Sequence, residues 1–113
     1  MLTPTSQNLD ALVEILRSTN GYWLSDVRLE IPNSSTAIFR ARLNGPEGRA
    51  VWARAWLATE AGTLAESASP QLKAGDDIKL EVTLKGPESP QSAYMRIESA
   101  PLKTEHIVLL KLT

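Results

Sequence analysis

Most of the chain alternates apolar and polar residues with a period of two, which predicts β-strands. The alternation is regular in five segments and is followed by a run that is apolar on both faces. The five segments are 27–31, 37–43, 51–57, 78–84 and 93–97, and the run is 107–112. Such alternation is typical of antiparallel strands that bury one face. Turn-forming residues separate several of them, as in Asn44-Gly45-Pro46-Glu47-Gly48.

The beginning of the chain has a different period. Apolar residues recur there at the i, i+3, i+4, i+7 spacing of one helix face, at Leu9, Leu12, Val13 and Leu16. Thr3 and Pro4 suit a helix start, and Asn20-Gly21 suits a helix end. We therefore expect an α-helix from Pro4 to about Thr19, within a segment 1–21 that packs on a domain of residues 22–113. A second, short helix is expected within 59–72, on Leu64, Ala65 and Ala68.

The order of these elements predicts the fold class. A helix is followed by three strands, a short helical connection, two strands and a last strand. Three strands, a helix and two strands is the order of the OB-fold barrel. The prediction is an all-β single domain with an accessory helix: an OB-fold-like antiparallel barrel of five to six strands, preceded by an N-terminal α-helix. The alternative is an immunoglobulin-type β-sandwich, which needs about seven strands.

Composition excludes most catalytic chemistry. The chain has 113 residues, a formal net charge of -1, no cysteine and one histidine. These counts exclude thiol catalysis, zinc–thiolate sites and any site that needs two imidazoles. No nucleotide-binding glycine motif or G-x-S-x-G elbow is present. We expect a protein that is not an enzyme and holds no metal or cofactor, with His106 an ordinary surface or strand-end residue.

Residues 1–21 and the lengths of the apolar runs indicate where in the cell the protein is expected. Residues 1–21 lack a basic region followed by an apolar run, so they do not resemble a signal peptide. The longest apolar runs are about four residues, against the ~20 that cross a bilayer. We expect a cytoplasmic protein with no membrane contact.

The second and third strands carry the most informative side chains. If these strands pair as a hairpin through 44–48, their outer faces merge into one surface with Arg40, Arg42, Trp52, Arg54 and Trp56. Cations that follow phosphates beside rings that stack on bases are what single-stranded nucleic acid needs. The full predicted site adds neighbouring residues: Arg49, Lys79, Tyr94 and Arg96. Two other occupants of this face stay open, the N-terminal helix and a partner subunit, because Trp and Arg are also enriched at protein interfaces.

One stretch also resembles a known family. Trp52 opens the third strand, Leu64-Ala65-Glu66-Ser67-Ala68 follows, and Gly75-Asp76-Asp77-Ile78 begins the next strand. With the element order, this pattern, roughly within 36–85, resembles bacterial single-stranded-DNA-binding proteins and their primosomal relatives. The resemblance implies an OB-fold that binds single-stranded DNA, with Trp52, Arg54 and Trp56 nearest the binding strand. It also implies a role in DNA replication, repair or transfer.

Two functions therefore follow from the sequence. The first is non-enzymatic binding of single-stranded DNA, or of RNA, by a homo-oligomer. The alternative is a protein–protein interaction module on the same barrel that binds no nucleic acid.

Overall fold

The computed structural model describes residues 2, 5–8, 14–19, 21–100 and 103–111, and their regular structure is entirely β. Nine strands lie within these residues: β1 (Thr5–Asn8), β2 (Glu14–Ser18), β3 (Trp23–Asn33), β4 (Thr36–Asn44), β5 (Val51–Thr59), β6 (Gly62–Ala68), β7 (Asp77–Thr83), β8 (Ser92–Ser99) and β9 (Lys103–Lys111).

The strands form two antiparallel sheets. The first, sheet A, has the order β1-β3-β4-β7, and the second, sheet B, has the order β2-β9-β8-β5-β6. β1 lies in sheet A, β2 in sheet B, and β3 and β4 in sheet A again. The chain then crosses to sheet B for β5 and β6, returns to sheet A for β7, and crosses to sheet B for β8 and β9.

A single hydrophobic core joins the two sheets. Every second residue of β4, β5, β7 and β8 is buried, and the largest fully buried side chains include Tyr22, Phe39, Leu43, Leu57 and Met95. These residues come from both sheets and from the segment before β3, so the sheets face each other across a shared interior. The fold is a β-sandwich, and the predicted core faces of the alternating strands are confirmed.

The predicted barrel is wrong. An OB-fold closes one sheet on itself, whereas here two separate sheets pack together. The predicted hairpin of the second and third strands is also wrong. β4 pairs with β3 and β7, while β5 pairs with β6 and β8. The two strands are inner strands of opposite sheets.

The predicted N-terminal helix is wrong as well. Residues 5–8 pair with β3, and residues 14–18 pair with β9. Leu16, which the helix would have buried, is exposed. Leu9, Leu12 and Val13 lie outside the described residues. Pairing with a neighbouring strand overrides the helical spacing of this segment, because strand preference depends strongly on context.

The second predicted helix, on Leu64, Ala65 and Ala68, is replaced by β6. Residues 62–68 form an edge strand against β5, with a register shift between Leu57 and Ala58. The strand has no regular apolar alternation because neither of its faces is fully buried. None of the described residues forms a helix that could cross a membrane.

Gly45, at the start of the crossing from β4 to β5, is the glycine whose replacement is expected to cost most. Its φ is +146°, and a Cβ added there would lie 2.5 Å from Cδ1 of the buried Tyr22 ring. Gly45→Ala should therefore lower the free energy of unfolding by about 1–3 kcal/mol, through steric overlap in a packed site.

Urea denaturation measures this effect. Gly48→Ala is the matched control, because Gly48 also has a positive φ but no atom lies within 4 Å of its added Cβ. Equal losses in the two variants would show that backbone strain, and not the Tyr22 contact, sets the cost.

Candidate functional site

The structure separates the predicted nucleic-acid residues into three places. Arg40, Arg42 and Lys79 lie on the outer face of sheet A, at paired positions of β4 and β7. Trp52, Arg54, Trp56, Tyr94 and Arg96 lie on the outer face of sheet B, at paired positions of β5 and β8. Arg49 lies in the crossing segment between the sheets. Because the two outer faces point away from each other, one strand of nucleic acid cannot use the predicted set as a single surface.

The outer face of sheet B carries a cluster of aromatic and charged side chains. We call Trp52, Arg54, Trp56, Tyr94, Arg96 and Glu98 the Trp–Tyr face. The rings of Trp56 and Tyr94 stack with centroids 5.0 Å apart and an interplanar angle of 12°. The Arg96 guanidinium carbon lies 5.5 Å from the centroid of the Trp56 ring, within cation–π range. Arg96 also pairs with Glu98 at 2.5 Å.

The stack fixes how the rings stand on the sheet. Trp56 and Tyr94 are direct cross-strand partners, and the 5.0 Å between their centroids is close to the ~4.8 Å between neighbouring strands. Nearly parallel rings at this separation face each other along the sheet and stand upright on it. Their edges therefore point to solvent, and the Trp56 face that meets Tyr94 is not free to stack on a base.

Trp52 and Arg54 are the open part of this face. The Trp52 side chain is 37% exposed. Arg54 is exposed and has no ion pair or hydrogen bond to its side chain among the described residues. Its direct partner on β8 is another cation, Arg96. Like charges directly opposite each other are unfavourable, and Arg96 is neutralised by Glu98 while Arg54 is not.

A pocket lies beside these two residues. Its volume is about 250 Å³, and it is lined by Trp52, Arg54, the small residues Ala68 and Ser69, and Glu98. We call it the anchor pocket. It is smaller than the ~300–1,000 Å³ typical of small-molecule sites, and its lining is mainly apolar.

The outer face of sheet A is a mixed charged surface. Arg28 is the direct neighbour of Arg40 across β3 and β4, and Arg40 is the direct neighbour of Lys79 across β4 and β7. We call these three residues the basic ladder. Carboxylates are interleaved with it: Glu30 bonds Arg40 at 2.9 Å, and Asp77 lies 3.4 Å from Arg42. The face therefore has rows of cations but no continuous positive stripe.

Sequence reasoning missed a buried carboxylate, Glu105. Its side chain is fully buried. Ser99 Oγ donates a hydrogen bond to Glu105 Oε1 at 2.8 Å, and Arg49 Nη1 lies 3.3 Å from the same oxygen. Thr19 Oγ1 donates to Oε2. We call these four residues the Glu105 network. A buried charge is tolerated when it is paired and hydrogen-bonded in this way.

A β-bulge places Glu105 in the interior. Ile97 pairs with His106 and Glu98 pairs with Thr104, so Glu105 has no partner residue on β8. The extra residue breaks the alternation, and Glu105 and His106 are both buried although they are adjacent. Gly21 makes room for the carboxylate, since a Cβ there would lie 2.8 Å from Oε2. No pattern in the sequence reveals the bulge, because it exists only in the register between β8 and β9.

His106 is buried within β9, and is neither the surface nor the strand-end residue that was predicted. Its exposed fraction is 3%, and its Nδ1 has no hydrogen-bond partner among the described residues. Burial lowers the pKa of His106 below its usual value of 6.5, because the low-dielectric interior disfavours the imidazolium. No cluster of three or more His, Asp or Glu side chains with metal-binding geometry occurs in the described part of the chain.

Comparison with known proteins gives no further assignment: no family model, curated protein or solved structure matches the chain. The resemblance to single-stranded-DNA-binding proteins stays a prediction, and the OB-fold that it implies is wrong.

The pKa of His106 predicts a pH dependence of stability. The unfolded chain takes up a proton near pH 6.5, and the folded chain takes it up only at lower pH. Stability from this residue is therefore complete above pH 6.5 and declines as the pH falls toward the lowered folded pKa. The expected slope of the unfolding free energy in this window is at most about 1.4 kcal/mol per pH unit.

Urea denaturation between pH 5.5 and 7.5 measures the slope. His106 is the only histidine, so the His106→Gln variant should have a flat profile in this range. A wild-type protein whose stability does not fall between pH 6.5 and 5.5 would contradict the lowered pKa.

Proposed function

We propose that this chain is a non-enzymatic binding module that docks a partner polypeptide on the Trp–Tyr face. The observation that carries the proposal is Arg54, an exposed guanidinium between two tryptophans that forms no ion pair among the described residues. Trp, Tyr and Arg are the residue types that contribute most to binding energy at protein interfaces. This is the alternative function that the sequence predicts, on a sandwich in place of a barrel.

The ring geometry favours a polypeptide over a flat ligand. Nucleobases bind by stacking on open aromatic faces. Here Trp56 meets Tyr94 on one side, and Arg96 lies within contact range of the same ring. Upright rings with exposed edges form ridges, and ridges fit the side chains of a partner. The anchor pocket, at about 250 Å³, suits one inserted side chain.

Charge defines the partner further. An occupant of this face meets Arg54 beside the indole of Trp52. A carboxylate on the partner would form a charge-assisted pair with Arg54. We therefore propose a segment that carries an Asp or Glu next to an apolar side chain, with the apolar side chain in the anchor pocket.

A second copy of this chain suits the face less well. A two-fold axis through its centre would bring Arg54 and its neighbour Arg96 against the same residues of the other copy. Such an interface would place like charges together in its core. The homo-oligomer expected from the sequence is for this reason not part of the proposal.

A second candidate function, binding of single-stranded nucleic acid, is favoured by the basic ladder on sheet A. Trp23, which is 46% exposed, is the cross-strand partner of Asn44 at one end of the same face. Cations beside an accessible indole are the elements that such binding uses. Glu30 neutralises Arg40 of the ladder, and Asp77 pairs with the neighbouring Arg42. These carboxylates make nucleic acid the second candidate. Quenching of tryptophan fluorescence by oligo(dT) that is lost in Trp23→Phe would support it.

Photo-crosslinking tests the docking proposal. A photoreactive phenylalanine analogue at position 52 should crosslink to a partner peptide that contains an Asp or Glu. Arg54→Glu, added to this protein, should reduce the crosslink at least about tenfold, because an interface charge at a hot spot is worth about 2 kcal/mol or more. Mass spectrometry of the crosslinked peptide gives the measurement.

Arg28→Glu is the matched control, since it makes the same charge reversal on the opposite face. It should leave the crosslink unchanged. Equal loss in both variants would indicate nonspecific attraction, and a crosslink only to a second copy of the chain would assign the face to self-association. Either outcome would overturn the proposal.

A further inference from the structure

A cleft at one end of the sandwich lies apart from the Trp–Tyr face. Its volume is about 660 Å³, within the range of small-molecule sites. Two segments form its walls, 47–50 in the crossing between β4 and β5, and 71–74 before β7. None of its lining residues lines the anchor pocket, so the two sites are separate.

Hydrogen bonds hold the wall at 71–74 in place, and the Ala100 N–H donates to Ala50 O at 2.9 Å at the end of the other wall. The Leu72 N–H donates to Val51 O at 2.7 Å, which ties the second wall to the start of β5. The turn that follows is closed by the Lys73 N–H to Asp76 Oδ2 at 2.9 Å and by the Gly75 N–H to Leu43 O at 2.7 Å. A cleft whose walls are fixed before binding loses less entropy when a ligand enters.

Arg49 lines this cleft, and a residue of the protein interior holds its side chain in position. One nitrogen, Nη1, lies 3.3 Å from Oε1 of the fully buried Glu105, and the Arg49 side chain is nevertheless 46% exposed. A guanidinium has five donor hydrogens in a planar fork. Glu105 orients one edge of that fork, and the remaining donors are available to a ligand in the cleft.

The other lining groups define what the cleft can hold. Lys73 adds a second cation, and Ala50, Leu72 and Ala74 add apolar surface. Glu47 is the carboxylate of the lining, and its charge opposes an anion. Two cations beside an apolar wall suit a ligand that has an anionic group and an apolar body.

We propose that this cleft binds a small organic carboxylate. Arg49 makes the main contact with the carboxylate, Lys73 supports it, and the wall at Leu72 contacts the apolar part. The proposal does not depend on the docking function, since it uses different residues and a different kind of ligand.

Amide chemical shifts of ¹⁵N-labelled protein test the proposal with three probes at constant ionic strength. Benzoate has both an anionic group and an apolar body. Inorganic phosphate has only the anionic group, and benzyl alcohol has only the apolar body. We expect saturable shifts within 47–50 and 71–74 with benzoate, and binding at least fivefold weaker with each of the other probes. Equal binding of all three, or shifts outside these segments, would overturn the proposal.

Three variants separate specific binding from general charge attraction. Lys73→Gln should weaken benzoate binding at least threefold, and Glu47→Gln should strengthen it at least twofold. Arg49→Lys keeps a cation beside Glu105 and so protects the fold, but it loses the fork and should weaken binding at least threefold. Lys79→Gln, a matched charge loss on the outer face of sheet A, should have no effect. A response to Lys79→Gln equal to that of Lys73→Gln would contradict a defined site.

Discussion

The structure depends on one constraint, which is that β4 and β5 must each bury one face in the same core. Both strands bury alternate residues, and both are flanked by a neighbouring strand on each side. Two such strands could lie side by side in one sheet or face each other from two. The chain takes the second arrangement by crossing over at Gly45, where the Tyr22 ring occupies the space of a side chain. This crossing separates the arginines of β4 from the tryptophans of β5.

The sequence predicts the buried positions, which depend on the local alternation of apolar and polar residues. It does not predict the features that depend on which strands pair with each other. The buried positions of β4, β5, β7 and β8 follow from a period of two, and the structure has them where expected. The strand pairing does not follow, because Asn44-Gly45 suits a hairpin and a crossing equally well. Residues 14–18 satisfy a helical spacing, and only pairing with β9 makes them a strand. The sequence pattern did not indicate the strand β6, because an edge strand with two half-exposed faces has no regular alternation of apolar and polar residues.

The candidate site was predicted in part for the same reason. Positions of one strand were correctly placed on one face, so Trp52, Arg54 and Trp56 do lie together, and cross-strand pairing adds Tyr94 and Arg96. Arg40 and Arg42 were assigned to that face only through the wrong hairpin. Glu105 could not be found because a bulge turns it inward. Its burial in turn fixes Arg49, so one irregularity in the β8–β9 ladder shapes the cleft at the end of the sandwich.

The distance between residues 42 and 54 tests this account most directly. The chain has no cysteine, so Arg42→Cys and Arg54→Cys give two unique sites for nitroxide labels, and both positions are exposed. Pulsed electron–electron double resonance should give a distance between the two nitroxides above about 20 Å, because the labels extend outward from sheets that pack about 10 Å apart. A hairpin of β4 and β5 would place the two positions on one face within about 10 Å. A short distance would contradict the sandwich, and with it the separation of the two charged faces.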